Sequence, residues 1–157
     1  KTGIYGYYNA AFADDIDSRK STMAYVFFFE GCAISWYSKL HTYVTTSSNH
    51  SEYCAAAKAA REAKMLEMLS KEQRVMRAVA PIDLFSDSQG ATAMCYNPVN
   101  RNSSKHVDLA DHYVREQVNR GAITITYVPT KDMVADALTK SLPKDQFNKL
   151  MGQVMRQ

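Results

Sequence analysis

The sequence predicts an α/β domain on a mixed sheet, with three antiparallel strands followed by two parallel ones and helices flanking them. Three observations carry this. The first forty residues fall into strand-like runs rich in Tyr, Phe, Val and Ile and divided by turn residues. A long Ala/Met/Leu/Lys/Glu segment with helical spacing comes next, and after it apolar strand runs alternate with helical ones. Strands separated by helices need crossover connections, which pair them in parallel, whereas strands separated by short turns pair antiparallel.

The elements follow in order βββ-α-β-α-α-β-α-α. Strands are expected at Ile4 to Asn9, Thr22 to Glu30 and Cys32 to Tyr37, the last two meeting at a Glu30-Gly31 hairpin turn. Ala56, Ala59, Ala63 and Leu66 recur at helical spacing behind Ser48 or Asn49 as N-cap. A short buried strand, Ile82 to Ser86, leads into a helix from about Asp87 to Cys95, stopped by Asn97-Pro98. Residues 100–104 read as loop. Val107, Ala110, Val114 and Val118 then mark a helix that Gly121 closes. Ile123 to Val128 is a strand ended by Pro129, Thr130 caps a helix carrying Met133, Val134, Ala137 and Leu138, and Phe147, Leu150, Met151 and Val154 form a last amphipathic helix.

Composition restricts the class of protein. With 157 residues, 46% hydrophobic and 22% charged, the chain reads as one domain over 1–157, excised from something longer, and not as a disordered chain. No apolar run approaches the roughly 20 residues a membrane span needs. Three cysteines without a CxxC pair argue against a disulfide framework or zinc ribbon, and no signal peptide precedes Lys1-Thr2-Gly3-Ile4. An intracellular setting, cytoplasmic or nuclear, is expected. The net charge of +3 resides between residues 58 and 77, where Lys58, Arg61, Lys64, Lys71, Arg74 and Arg77 outnumber Glu62, Glu67 and Glu72.

Seven segments, in register along nearly the whole chain, make the reading specific. They are Asp17-Ser18-Arg19-Lys20-Ser21-Thr22 with Tyr25-Val26-Phe27; Ala33-Ile34-Ser35-Trp36-Tyr37-Ser38-Lys39; Ser47-Ser48 with Glu52-Tyr53; Asp87-Ser88-Gln89-Gly90-Ala91; Lys105-His106-Val107-Asp108; Tyr127-Val128-Pro129-Thr130-Lys131-Asp132 with Ala135-Asp136; and Thr139-Lys140-Ser141-Leu142-Pro143. Together they resemble the ribonuclease H domain that follows reverse transcriptase in Ty1/copia-type retrotransposon polyproteins. The resemblance implies a ribonuclease H-like fold and cleavage of the RNA strand of RNA–DNA hybrids by two-metal hydrolysis. Two Mg2+ or Mn2+ ions would be held there by four carboxylates, one each on the first strand, near the start of the first long helix, at the end of the fourth strand, and after the fifth strand.

Asp87 ends the Ile82 to Ser86 strand and matches the third acid; Asp136 matches the fourth. The first position falls on Asn9. The second, the first Glu of the family's SSTEAEY, falls on His50, with Glu52 expected about 200° away around the helix. Asp87 and Asp136 are therefore the expected catalytic and metal-binding residues of a degenerate site, with metal binding weakened by the loss of two charges. Lys58, Arg61 and Lys64, with Arg19 and Lys20 as a second patch, are candidates for the phosphate backbone of a hybrid or duplex. His106 and His112 match no metal-binding spacing, and Tyr7, Tyr25, Phe27, Phe28, Phe29 and Trp36 read as core.

The expected partners are RNA–DNA hybrid or duplex nucleic acid and the reverse transcriptase domain of the same polyprotein. The alternative is a catalytically dead, domesticated ribonuclease H fold that serves as a protein-interaction or structural module for an unknown protein partner.

Overall fold

A computed structural model describes residues 3–73, 81–97 and 105–155, with side chains not described at 73 and over 105–111. The elements are β1 (Ile4–Ala11), β2 (Thr22–Phe29), β3 (Cys32–Leu40), α1 (Ser48–Gln73), β4 (Ile82–Ser86), α2 (Gln89–Tyr96), α3 (Lys105–Asn119), β5 (Ile123–Tyr127), two 3-10 turns (Thr130–Asp132 and Val134–Leu138) and α4 (Lys144–Val154). The sheet order is β3-β2-β1-β4-β5, antiparallel from β3 to β1 and parallel from β1 to β5. This is the mixed sheet that the sequence predicts. The loop expected at 100–104 lies outside the described residues.

Local chemistry accounts for the hairpin. Glu30 and Gly31 both take positive φ (49° and 85°), the combination that matches a two-residue turn to the right-handed twist of the flanking strands. The N-cap of α1 is Ser47, one residue earlier than Ser48, because its Oγ accepts from the His50 amide at 3.1 Å. Ser88 caps α2 by accepting from Ala91 N, so that helix starts at Gln89 and Asp87 is released from a capping role.

The alternation of β1 divides the core into two faces. Ile4, Tyr8 and Ala10 join the α1 side, where Ala55, Ala56, Ala59, Ala60 and Ala63 are all buried and let the helix approach the sheet closely. Tyr5 and Tyr7 join Val26, Phe28 and Val134 on the opposite side. Gly6 is demanded by this packing, since a Cβ there would lie 2.8 Å from the ring of Phe27. Gly6→Ala is expected to cost about 1–3 kcal/mol in a urea titration, the range for overpacking a closed core.

Two expectations are corrected. The segment after Pro129 is not a helix capped by Thr130. Met133, Val134, Ala135 and Asp136 are consecutive and fully buried, and one helical stripe cannot face four successive residues inward. The chain breaks into two 3-10 turns around an extended Met133 instead. Trp36 is also not core: it is 66% exposed on β3, an edge strand of the sheet, while Tyr25, Phe27 and Phe28 are buried.

Candidate active site

The site is built where the sheet changes from antiparallel to parallel pairing. Tyr5, Gly6 and Tyr7 of β1 pair with Asp83, Leu84 and Phe85 of β4, and continuing that register sets Asn9 level with Asp87 just past the β4 end. In a parallel sheet this carboxyl end is where exposed side chains from several elements converge.

Asn9 is buried at 3% exposure, and its side-chain amide donates to Asp136 Oδ1 and, at 3.0 Å, to Thr139 Oγ1. Asp136 is fully buried. Its Oδ2 lies 2.9 Å from the Lys140 ammonium, an ion-pair contact that does not have hydrogen-bond geometry, so only Oδ1 is hydrogen-bonded. Asp87 accepts from Thr130 Oγ1 at 2.7 Å, which ties the end of β4 to the first 3-10 turn.

The fourth contributor is Glu52, which corrects the expectation that position 50 carries the second site residue. Glu52 Oε1 accepts from Ala10 N at 3.1 Å, one residue beyond Asn9, while its Oε2 is buried without a hydrogen-bond partner among the described residues. His50 is directed elsewhere, its Nδ1 contacting Thr46 N and Oγ1 at 3.3 and 3.1 Å. The physical signal was present in the sequence. Glu52, Ala56, Ala59 and Ala63 share one 4-3-4 stripe, so the helix that buries its alanines must carry Glu52 to the sheet with them.

Three acids and one amide thus converge where two acids were expected, and their electrostatics are mutual. Burial pushes the Glu52 carboxyl up to about 8, with the negative charges of Asp87 and Asp136 adding to the rise and Lys140 opposing it. Burial likewise raises Asp136 above the ordinary carboxylate range, against the pull of Lys140.

The resemblance seen in the sequence implies a divalent ion at these positions, and the residues present can be tested against it. The donor set fits a hard cation in kind, being all oxygen, and the partnerless buried Oε2 of Glu52 is an oxygen such an ion would satisfy. As placed, no three His, Cys, Asp or Glu side chains among the described residues are grouped to hold one. Asn9 and Lys140 occupy Asp136 instead.

The expected nucleic-acid residues are dispersed. Lys58 Nζ lies 5.6 Å from the Tyr37 ring centroid and Arg61 5.5 Å from that of Tyr113, both still exposed and charged. Lys64 is paired to Glu67 at 2.7 Å, and Glu67 also takes Lys71 at 2.6 Å, so one carboxylate is shared by two ammonium groups and that part of α1 keeps a net positive charge. Arg19 and Lys20 close the β1–β2 loop, where the Arg19 and Ser18 amides donate to Asp15. His112 is exposed beside Tyr96 and Arg115, and the side chain of His106 lies outside the described residues.

No family model matches the chain. Among curated proteins, the Retrovirus-related Pol polyprotein from transposon TNT 1-94 of Nicotiana tabacum is 35% identical over 144 residues, 92% of this chain and 11% of that protein. The Pol polyprotein from transposon RE1 of Arabidopsis thaliana is 33% identical over 151 residues, 96% of this chain and 10% of its own length. The chain therefore spans about a tenth of the length of these two polyproteins. Among solved structures, RNase H1 from Halobacterium salinarum superposes with a TM-score of 0.63 at 19% identity, covering 87% of this chain and 93% of that one.

The chain has a ribonuclease H-like fold and is homologous to Ty1/copia-type Pol polyproteins. The foamy viral protease-reverse transcriptase in complex with an RNA/DNA hybrid contains the same fold, at TM-score 0.61 and 15% identity over 88% of the ribonuclease H-like chain and 19% of its own. No described helix of the ribonuclease H-like chain is long and apolar enough to cross a membrane.

Proposed function

We propose that the chain is a ribonuclease H module for RNA–DNA hybrid whose cleavage is impaired by the amide at position 9. The observation that carries this reading is the convergence of Glu52, Asp87 and Asp136 on Asn9, with the Asn9 amide donating to an acid it would otherwise assist. Glu52, Asp87 and Asp136 would hold a magnesium or manganese ion, which when bound supplies neutralisation of the scissile phosphate and polarisation of a water.

The protein's own contribution is positioning. The Ala10 amide orients Glu52, Thr130 orients Asp87, and Thr139 holds Asn9 against Asp136. An amide lends an ion an oxygen but no charge, and here its NH2 faces Asp136, so it reduces both the negative charge and the free oxygens of the site. Binding survives such a loss, because phosphate contacts need only positioned cations.

Gel-shift titration of an RNA–DNA hybrid across a salt series tests the binding. Micromolar, salt-sensitive affinity is expected. Lys58→Ala and Arg61→Ala should each flatten the log-log salt slope by roughly one unit, and Lys64→Ala by less, because Lys64 and Lys71 share the Glu67 carboxylate. No binding at any salt would overturn the hybrid reading in favour of the protein-interaction module.

A further inference from the structure

Lys140 belongs to the sequence segment Thr139-Lys140-Ser141-Leu142-Pro143, and the structure gives it a place that the functional reading does not use. Its Nζ lies 2.9 Å from Asp136 Oδ2. Asp136 is fully buried, whereas the Lys140 side chain is 42% exposed. Local backbone fixes the approach, since the amides of Thr139 and Lys140 both donate to the Asp136 carbonyl, at 3.1 and 3.3 Å. The ammonium therefore reaches the acid from the solvent side.

We infer that Lys140 is a built-in competitor for the cation position at Asp136, which must withdraw before a divalent ion can share that carboxylate. This rests on the metal-binding reading above. Three observations support it. Asn9 is hydrogen-bonded to Asp136 Oδ1 and the Lys140 ammonium stands 2.9 Å from Oδ2, where its charge holds the place a cation would take. Asn9 is buried and pinned by Thr139, so Lys140 is the mobile partner of the two. Lys140 also borders an open depression of about 610 Å³ with Asp14, Thr22, Ser38, Leu138 and Phe147, which gives the withdrawn side chain room.

The physical sense of the device is charge balance. Buried acids in mutual repulsion need a counter-charge whenever no ion is present. A lysine on a flexible stem provides one and can retreat into water at modest desolvation cost.

The test is Mn2+ binding by the full chain, read as loss of the free-ion electron paramagnetic resonance signal, with no cleavage measurement. Lys140→Met keeps length and removes charge; Lys140→Arg keeps the charge. Lys140→Met is expected to bind Mn2+ about tenfold more tightly than the parent and to melt at lower temperature in chelator, and Lys140→Arg to behave as the parent in both. Unchanged or weaker Mn2+ affinity in Lys140→Met, with measurable binding by the parent, would overturn the competition while sparing the metal site. Absence of Mn2+ binding by the parent and both variants, with folding shown by circular dichroism, would overturn the competition and the metal-binding reading together.

Discussion

Replacing Asn9 by Asp is expected to raise cleavage of the RNA strand of an RNA–DNA hybrid by about a hundredfold in magnesium or manganese, the order of effect that a single charge-stabilising group has in an enclosed site. The change alters little but charge and hydrogen-bonding direction. It removes the NH2 that donates to Asp136 Oδ1, supplies a fourth carboxylate, and sets two acids in repulsion that a divalent ion relieves. Single-turnover cleavage of an end-labelled hybrid measures it. Adding His50→Glu to Asn9→Asp should give little further gain, because the second acid is already supplied by Glu52 while His50 Nδ1 engages Thr46. Adding Glu52→Gln should return the rate toward the parent. Failure of Asn9→Asp to increase cleavage, with the fold intact by circular dichroism, would show that the groove around the site has been lost as well.

Glu52 also dictates a large dependence of stability on pH. Its folded-state pKa of about 8 lies above the ordinary 4.5, so the folded protein binds the proton more tightly than the unfolded chain does. The stabilisation from a protonated Glu52 is complete below about pH 4.5 and is lost as the pH rises to about 8, with Asp136, also raised, acting in the same direction. The loss over this window is on the order of 5 kcal/mol, at about 1.4 kcal/mol per pKa unit, a large fraction of the stability of a small domain. Glu52→Gln keeps the acceptor for Ala10 N and cannot ionise, so it should match the parent near pH 4.5 and exceed it by several kcal/mol at pH 9. Urea titrations at pH 4.5, 7 and 9 without divalent ions compare the two. Parallel curves for parent and variant would contradict the buried, charge-crowded environment assigned to Glu52. The same crowding that destabilises the domain at high pH makes the acids attractive to a cation, the usual conflict between stability and a functional site.

The order of elements and the split between antiparallel and parallel pairing were legible in the sequence, because alternation, turn residues and helical spacing are local signals: Glu30-Gly31 demands a two-residue turn, and the crossovers through α1 and α3 demand parallel partners for β4 and β5, whereas the spatial order β3-β2-β1-β4-β5 was settled by packing. It likewise placed Asp87 at the end of an apolar strand and Asn9 on the first one. The course of the chain from Met133 to Asp136 was not legible, since helical spacing at Val134, Ala137 and Leu138 says nothing of a neighbouring sheet that buries four residues in succession. Nor was Trp36 on the exposed edge strand, because an aromatic in a strand has the same pattern on either face. The site was read in part: motif matching set His50 opposite the acids, whereas packing of the Ala56, Ala59 and Ala63 stripe on β1 carries Glu52 there instead. Only the tertiary structure could unite Asn9 with Asp136, 127 positions apart, and set Lys140 against the same carboxylate. Such contacts arise from how buried surfaces of distant elements meet, and burial then fixes which polar groups must satisfy one another.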